Sequence, residues 1–167
     1  MKLADRRLRQ TSQPPNPEQS MRRALSHVLL ATVLLTPAAL AQNAPDREGV
    51  RQAALDYIEG FYEGDSTRFI RSVRPEVYKY GFYRDTTGSY RGMQMQWQGF
   101  HNFANRVKRG QSRTPANAPK QVEILDVADQ IAAAKVTAWW GIDYLLLGRY
   151  DGKWMISHVL WQSPPKP

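Results

Sequence analysis

Cysteine is absent from all 167 residues, which removes disulfides, thiolate metal sites and cysteine nucleophiles together. Histidine is scarce: of three in the chain, only His101 and His158 lie beyond residue 41. Two histidines with no thiol do not build a structural zinc site, so no metal is expected. There is no Gly-rich phosphate loop, no serine-nucleophile elbow and no H-E-x-x-H, and no cofactor is expected either. Beyond residue 41, basic blocks are also missing apart from "RVKRG" at 106–110. The formal charge of +8 arises half from residues 1–41, with six Lys/Arg against two Asp/Glu. The remainder holds 17 against 13, too mild a surplus to predict a nucleic-acid-binding stripe.

What is present begins with an export pattern. "MRRALSHVLLATVLLTPAALAQ" starts at Met21, with Arg22 and Arg23 ahead of an apolar stretch from Ala24 to Leu35. "ALA" at 39–41 fits a small-residue cleavage site, which makes Gln42 the first mature residue. The apolar stretch is too short for a membrane span, and no cysteine follows it to carry a lipid. The expectation is therefore a signal peptide at 21–41, a protein start at Met21 that leaves 1–20 as an N-terminal extension, and a soluble exported product without a stable membrane anchor.

The mature chain reads as one domain. "APDREGVRQAALDYIEGFYEGD" places Val50, Ala53, Ala54, Tyr57, Ile58, Phe61 and Tyr62 on a helical stripe, with Asp46 as N-cap and Gly64 as stop. "STRFIRSVRPE" predicts a short second helix capped by Ser66 and ended by Pro75. "VYKYGFYRD" and "SYRGMQMQ" alternate around "TTG" as a hairpin, and "WQGFHNFANRVKRG" returns to helical spacing. Four strand-like segments follow a Pro/Ser loop. The order α-α-β-β-α-β-β-β-β has no long crossovers among its last strands, which excludes a doubly wound parallel sheet. An α+β domain remains, with helices on one face of a mostly antiparallel sheet.

Turn positions give a register for the last strands. A turn at Asp151-Gly152 sets Leu147 opposite Ile156, Leu145 opposite His158 and Asp143 opposite Leu160. A turn at Trp140-Gly141 sets Ala138 against Asp143. The inward face then carries Ala134, Val136, Ala138, Asp143, Leu145, Leu147, Trp154, Ile156, His158 and Leu160. Lys135, Thr137, Tyr144, Leu146, Ser157 and Trp161 face out. Asp143 and His158 become diagonal neighbours on the apolar face, within reach of a carboxylate–imidazole contact. Two readings follow: a core pair that satisfies itself, or polar groups set in a pocket to orient a ligand or move a proton.

The helical opening "AALDYIEGFYEGD", with "ADQIAAAKVTAWW" and "DYLLLGRYDGKWMISHVLWQS", resembles the nuclear transport factor 2-like superfamily, and within it the putative lumazine-binding branch. The resemblance covers 46–163, and "DYLLLGRYDGKW" is its most specific block. It implies a cone of three helices on a curved, mostly antiparallel sheet, open at one end, and a homodimer formed through the outer sheet face. It does not decide function, because ketosteroid isomerases, dehydratases, cyclases and non-catalytic binding domains share the superfamily. Ketosteroid-isomerase-like chemistry needs an acid–base carboxylate and an oxyanion-stabilising group, and Asp143, Tyr57 and Tyr80 are the right residue types.

The candidate ligand contacts are Tyr57, Tyr80, Trp97, Trp140, Asp143, Trp154 and His158, around a small hydrophobic or aromatic ligand. The leading expectation is a non-catalytic binding domain. The alternatives are a lyase, isomerase or hydrolase using an Asp143/His158 pair, and a dimerisation module whose interior is filled by its own side chains. Tyr144, Leu146, Trp139 and Trp161 supply apolar area for the outer-face interface.

Overall fold

The computed structural model describes residues 44–165. The expected leader at 21–41 and the extension at 1–20 lie outside the described residues. Among those described, no helix is long and apolar enough to cross a membrane.

Helix α1 (Ala44–Glu63) buries the stripe Val50, Ala53, Ala54, Tyr57, Ile58 and Phe61. Asp46 is not its N-cap, because the helix starts two residues earlier. Its carboxylate instead accepts from Trp154 Nε1 at 3.1 Å and pairs with Arg149 at 3.2 Å, tying the first turn to the sheet. Gly64 ends the helix in the left-handed region at φ 70°. Helix α2 (Ser66–Ser72) is capped by Asp65, not Ser66, through a 2.9 Å bond from the Thr67 backbone N–H. It stops three residues before Pro75, since Val73 already pairs with the sheet. Helix α3 (Trp97–Lys108) buries Phe100 and Ala104.

The strands are β1 (Val73–Arg84), β2 (Tyr90–Met95), β3 (Gln121–Val127), β4 (Ile131–Ala138), β5 (Gly141–Tyr150) and β6 (Lys153–Gln162). They form one six-stranded sheet in the order β2-β1-β6-β5-β4-β3. Only the β1–β6 pairing is parallel, so the sheet is mostly antiparallel, and the α+β arrangement of three helices on such a sheet is the one expected.

Register is where sequence and structure part. The β4–β5 turn is Trp139-Trp140, with Ala138 opposite Gly141 and Val136 opposite Asp143. This is a two-residue slip from the expected pairing, and an even slip leaves every side chain on its own face. The β5–β6 error is of the other kind. Leu147 does pair with Ile156, but Leu146 pairs with His158, leaving Ser157 as one extra residue in β6. This β-bulge reverses the phase of the strand beyond it. Val159 is buried, Trp161 turns to the helix side, and His158 and Leu160 face outward. The aliphatic requirement explains the bulge: it seats both Ile156 and Val159 in the core, where a regular strand would seat only one. Burying an aliphatic side chain of that size stabilises by about 1.5–3 kcal/mol.

Candidate functional site

β1 alternates Val77, Lys79 and Gly81 toward the helices with Tyr78, Tyr80 and Phe82 away from them. A lysine thus enters the core. Its side chain is 5% exposed, and Nζ lies 5.0 Å from the Tyr57 ring, 4.8 Å from Phe61 and 5.8 Å from Trp161. An ammonium so far from water needs compensation. Nζ donates to Tyr57 Oη at 2.5 Å, and the Tyr57 hydroxyl donates in turn to Asp143 Oδ2. Trp140 Nε1 occupies the other carboxylate oxygen, Oδ1, at 2.9 Å. Lys79 and Asp143 form an ion pair at 3.8 Å, with both partners in the core. The aromatic rings around Nζ add cation–π attraction.

The electrostatics follow from burial. Desolvation pushes the Lys79 ammonium below the ordinary lysine range, against the opposing pull of the Asp143 charge. Desolvation, reinforced by Asp143, drives the Tyr57 hydroxyl well above the usual phenol range. Tyr57 is therefore a fixed donor, not a proton source near neutrality.

Beside this cluster is a cavity of about 210 Å³, lined by Phe61, Lys79, Met93, Met95, Phe103, Arg106, Trp139, Trp140 and Trp161. Three indoles, two phenyl rings and two thioethers make its walls apolar. The two charged residues in the lining are both cations: buried Lys79, and Arg106, exposed on α3 with its guanidinium 5.1 Å from the Phe103 ring.

Of the sequence-derived candidates, Tyr57, Trp140 and Asp143 come together. Trp140 lines the cavity, while Tyr57 and Asp143 are wholly buried behind it. Trp97 packs on Phe100 and His101, and Trp154 lies beside Gly49 of α1, so neither borders the cavity. Tyr80 points to the opposite face of β1, 5.5 Å from Phe82. His158 is exposed on that same face, near Tyr78, with its Nδ1 3.1 Å from Ser157 Oγ. The expected Asp143/His158 pair does not form, because the bulge at Ser157 puts the two side chains on opposite faces of the sheet. Trp139 and Trp161, expected outside, line the cavity instead.

Sequence reasoning missed Lys79. The run of tyrosines in "VYKYGFYRD" draws attention to the wrong parity. The signal available was Val73 and Val77, which share a face with Lys79, together with Gly81, a small residue where a bulky neighbour has to fit.

The family described as "Putative lumazine-binding" matches residues 45–162. The chain belongs to that family. No curated protein matches it. Its fold is also similar to those of solved nuclear transport factor 2-like proteins of unknown function. One, from Methylobacillus flagellatus KT, is 17% identical, covering 73% of this chain and 94% of its own, with a TM-score of 0.57. Another, from Silicibacter pomeroyi DSS-3, is 15% identical, covering 72% and 98%, with a TM-score of 0.56. A third, from Shewanella baltica OS155, is 18% identical, covering 73% and 96%, with a TM-score of 0.54. At such identities the likeness is one of fold, and what this member of the lumazine-binding-type family does has to be argued from its own cavity.

Proposed function

We propose that this chain is an exported, non-catalytic binding domain for a small, flat, largely apolar molecule held between the sheet and α3. The observation that carries the reading is the cavity of about 210 Å³ walled by Trp139, Trp140, Trp161, Phe61 and Phe103. Apolar walls with a few placed polar groups are the usual composition of a small-ligand site. A cavity of this size also argues against an interior filled by its own side chains. The acid–base reading loses its support, because the one core carboxylate of the cluster, Asp143, has both oxygens occupied by Tyr57 and Trp140 and does not line the cavity.

Export rests on the Met21–Ala41 pattern in the sequence. A homodimer through the outer face is supported by exposed Tyr78, Phe82, Tyr144, Leu146 and Leu160. Native mass spectrometry of the purified full chain tests the binding reading: a mass excess released on denaturation is expected. A chain that is always bare, and whose tryptophan fluorescence no aromatic probe alters, would overturn it.

A further inference from the structure

The cavity has a charge asymmetry that its apolar walls make consequential. Lys79 Nζ can donate three hydrogen bonds, yet among the described residues it has one hydrogen-bond acceptor, Tyr57 Oη. Its counter-ion lies behind it: Asp143 is 3.8 Å from Nζ, fully buried and outside the lining. A molecule entering the cavity therefore meets the positive end of the pair and not the negative one. Arg106, the second cation of the lining, has no ion-pair partner among the described residues. Among the described residues, no acidic side chain borders the space.

We infer that the ligand is an aromatic carboxylate, its ring stacked among the tryptophans and its carboxylate anchored on the Lys79 ammonium. This rests on the binding reading above and gives it a ligand class. Size agrees, since a cavity of about 150 Å³ holds a benzene ring, and 210 Å³ leaves room for one ring and one carboxylate-sized group. A single charge agrees as well. One ammonium with two free donor directions satisfies a carboxylate, whereas a multiply charged head group would leave oxygens unpaired against indole and phenyl walls. Tyr57 and Asp143 are positioning residues: they hold Nζ from behind and lie outside the cavity lining, while Trp140 both anchors Asp143 and forms part of the wall.

The test is calorimetric titration of the purified full chain with benzoate, benzamide and toluene, of which only the first carries charge. Benzoate is expected to bind at least about tenfold more tightly than benzamide, the ratio that separates a charge-assisted from a neutral hydrogen bond. The preference should fall as pH rises toward the ordinary lysine range, while toluene binding stays constant. The groups facing Lys79 are Asp143 and Tyr57, and Arg106 is the other charged residue of the lining. Of these, Tyr57 titrates only above the phenol range.

In Lys79→Met/Asp143→Asn, which leaves no buried charge unpaired, the preference for benzoate should vanish and toluene should still bind. Arg106→Gln should keep most of the preference. Equal binding of benzoate and benzamide, or a preference lost in Arg106→Gln but kept in the double variant, overturns the carboxylate assignment and leaves the binding reading standing. Failure of all three probes overturns both. Should the double variant not fold, the charge discrimination and pH dependence of the unmodified chain decide the matter alone.

Discussion

Gly81 on β1 is the register partner of Trp161 on β6, and a Cβ built at Gly81 would stand 2.2 Å from the indole Cδ1. The missing side chain is what allows Trp161 to lie flat across β1 and form one wall of the cavity. Gly81→Ala should push the indole out of its seat, costing about 1–3 kcal/mol, as overpacked core sites do. Denaturant unfolding and the tryptophan emission maximum would read the change together. An alanine variant with unaltered stability and emission would contradict this placement of Trp161.

The buried pair gives a second expectation. Asp143→Ala strips Lys79 of its counter-ion and leaves the Tyr57 hydroxyl and Trp140 N–H without their acceptor. The cost should be about 3–5 kcal/mol, the range for breaking one half of a buried ion pair. In a double-mutant cycle with Lys79→Met the two losses should not add, and a coupling of about 1–3 kcal/mol is expected. Additive losses would mean that the two groups do not feel each other.

Stability should depend on alkaline pH in two opposite ways. Lys79 is held below its ordinary value of 10.5 by burial, so in that window the unfolded chain binds more protons than the folded one. Stability therefore rises with pH there. Tyr57 is pushed above its ordinary value of 10.0, so beyond that pH the unfolded chain loses a proton that the folded one keeps, and stability falls. Urea unfolding stepped from about pH 8 to about pH 11 should show a rise and then a decline. In Tyr57→Phe the decline should weaken.

His158→Ala should leave both stability and ligand binding nearly unchanged, within about 0.5 kcal/mol, as expected for an exposed side chain that meets only the neighbouring Ser157 hydroxyl and the exposed Tyr78 ring among the described residues. Thermal melts and the same calorimetric titrations would measure it. A large loss in either would return His158 to the site.

Leu146 and Leu160 are each 54% exposed on the outer face, among Tyr78, Phe82 and Tyr144. If that face joins two copies, Leu146→Lys/Leu160→Lys should convert a dimer to a monomer in light scattering without lowering the monomer's own stability. A wild-type chain that is monomeric at high concentration would remove the interface.

How much of this was legible in the sequence depended on the kind of signal. The α1 stripe, the Gly64 stop and the order of elements along the chain were readable because periodicity and turn chemistry are local. The faces of β4 and β5 survived an error in the Trp139-Trp140 turn because a slip of two preserves parity. His158 was misplaced because a bulge leaves no composition mark: Ser157 looks like any other strand residue, and its extra position shows only in which of Val159 and Leu160 the core accepts. Lys79 was overlooked for a related reason. Lysine normally belongs to a solvent-facing position, and the partners that make it tolerable, Tyr57 and Asp143, are 22 and 64 residues distant along the chain.

The parallel pairing of β1 with β6 has a consequence for the order in which the molecule assembles. Tyr78 finds His158, and Gly81 finds Trp161, each across a separation of 80 positions in the chain. Closing so long a loop is entropically slow, and non-local contacts of this kind set the pace of folding. A nascent chain that lacks its last ten residues can form α1, the β1–β2 hairpin and the β4–β5 hairpin. It lacks the β6 partners of Tyr78 to Phe82, and Trp161 is missing from the aromatic rings around Lys79. The docking of the C-terminal strand therefore closes the aromatic shell around the lysine, and Trp161 emission during refolding should change in the slowest phase.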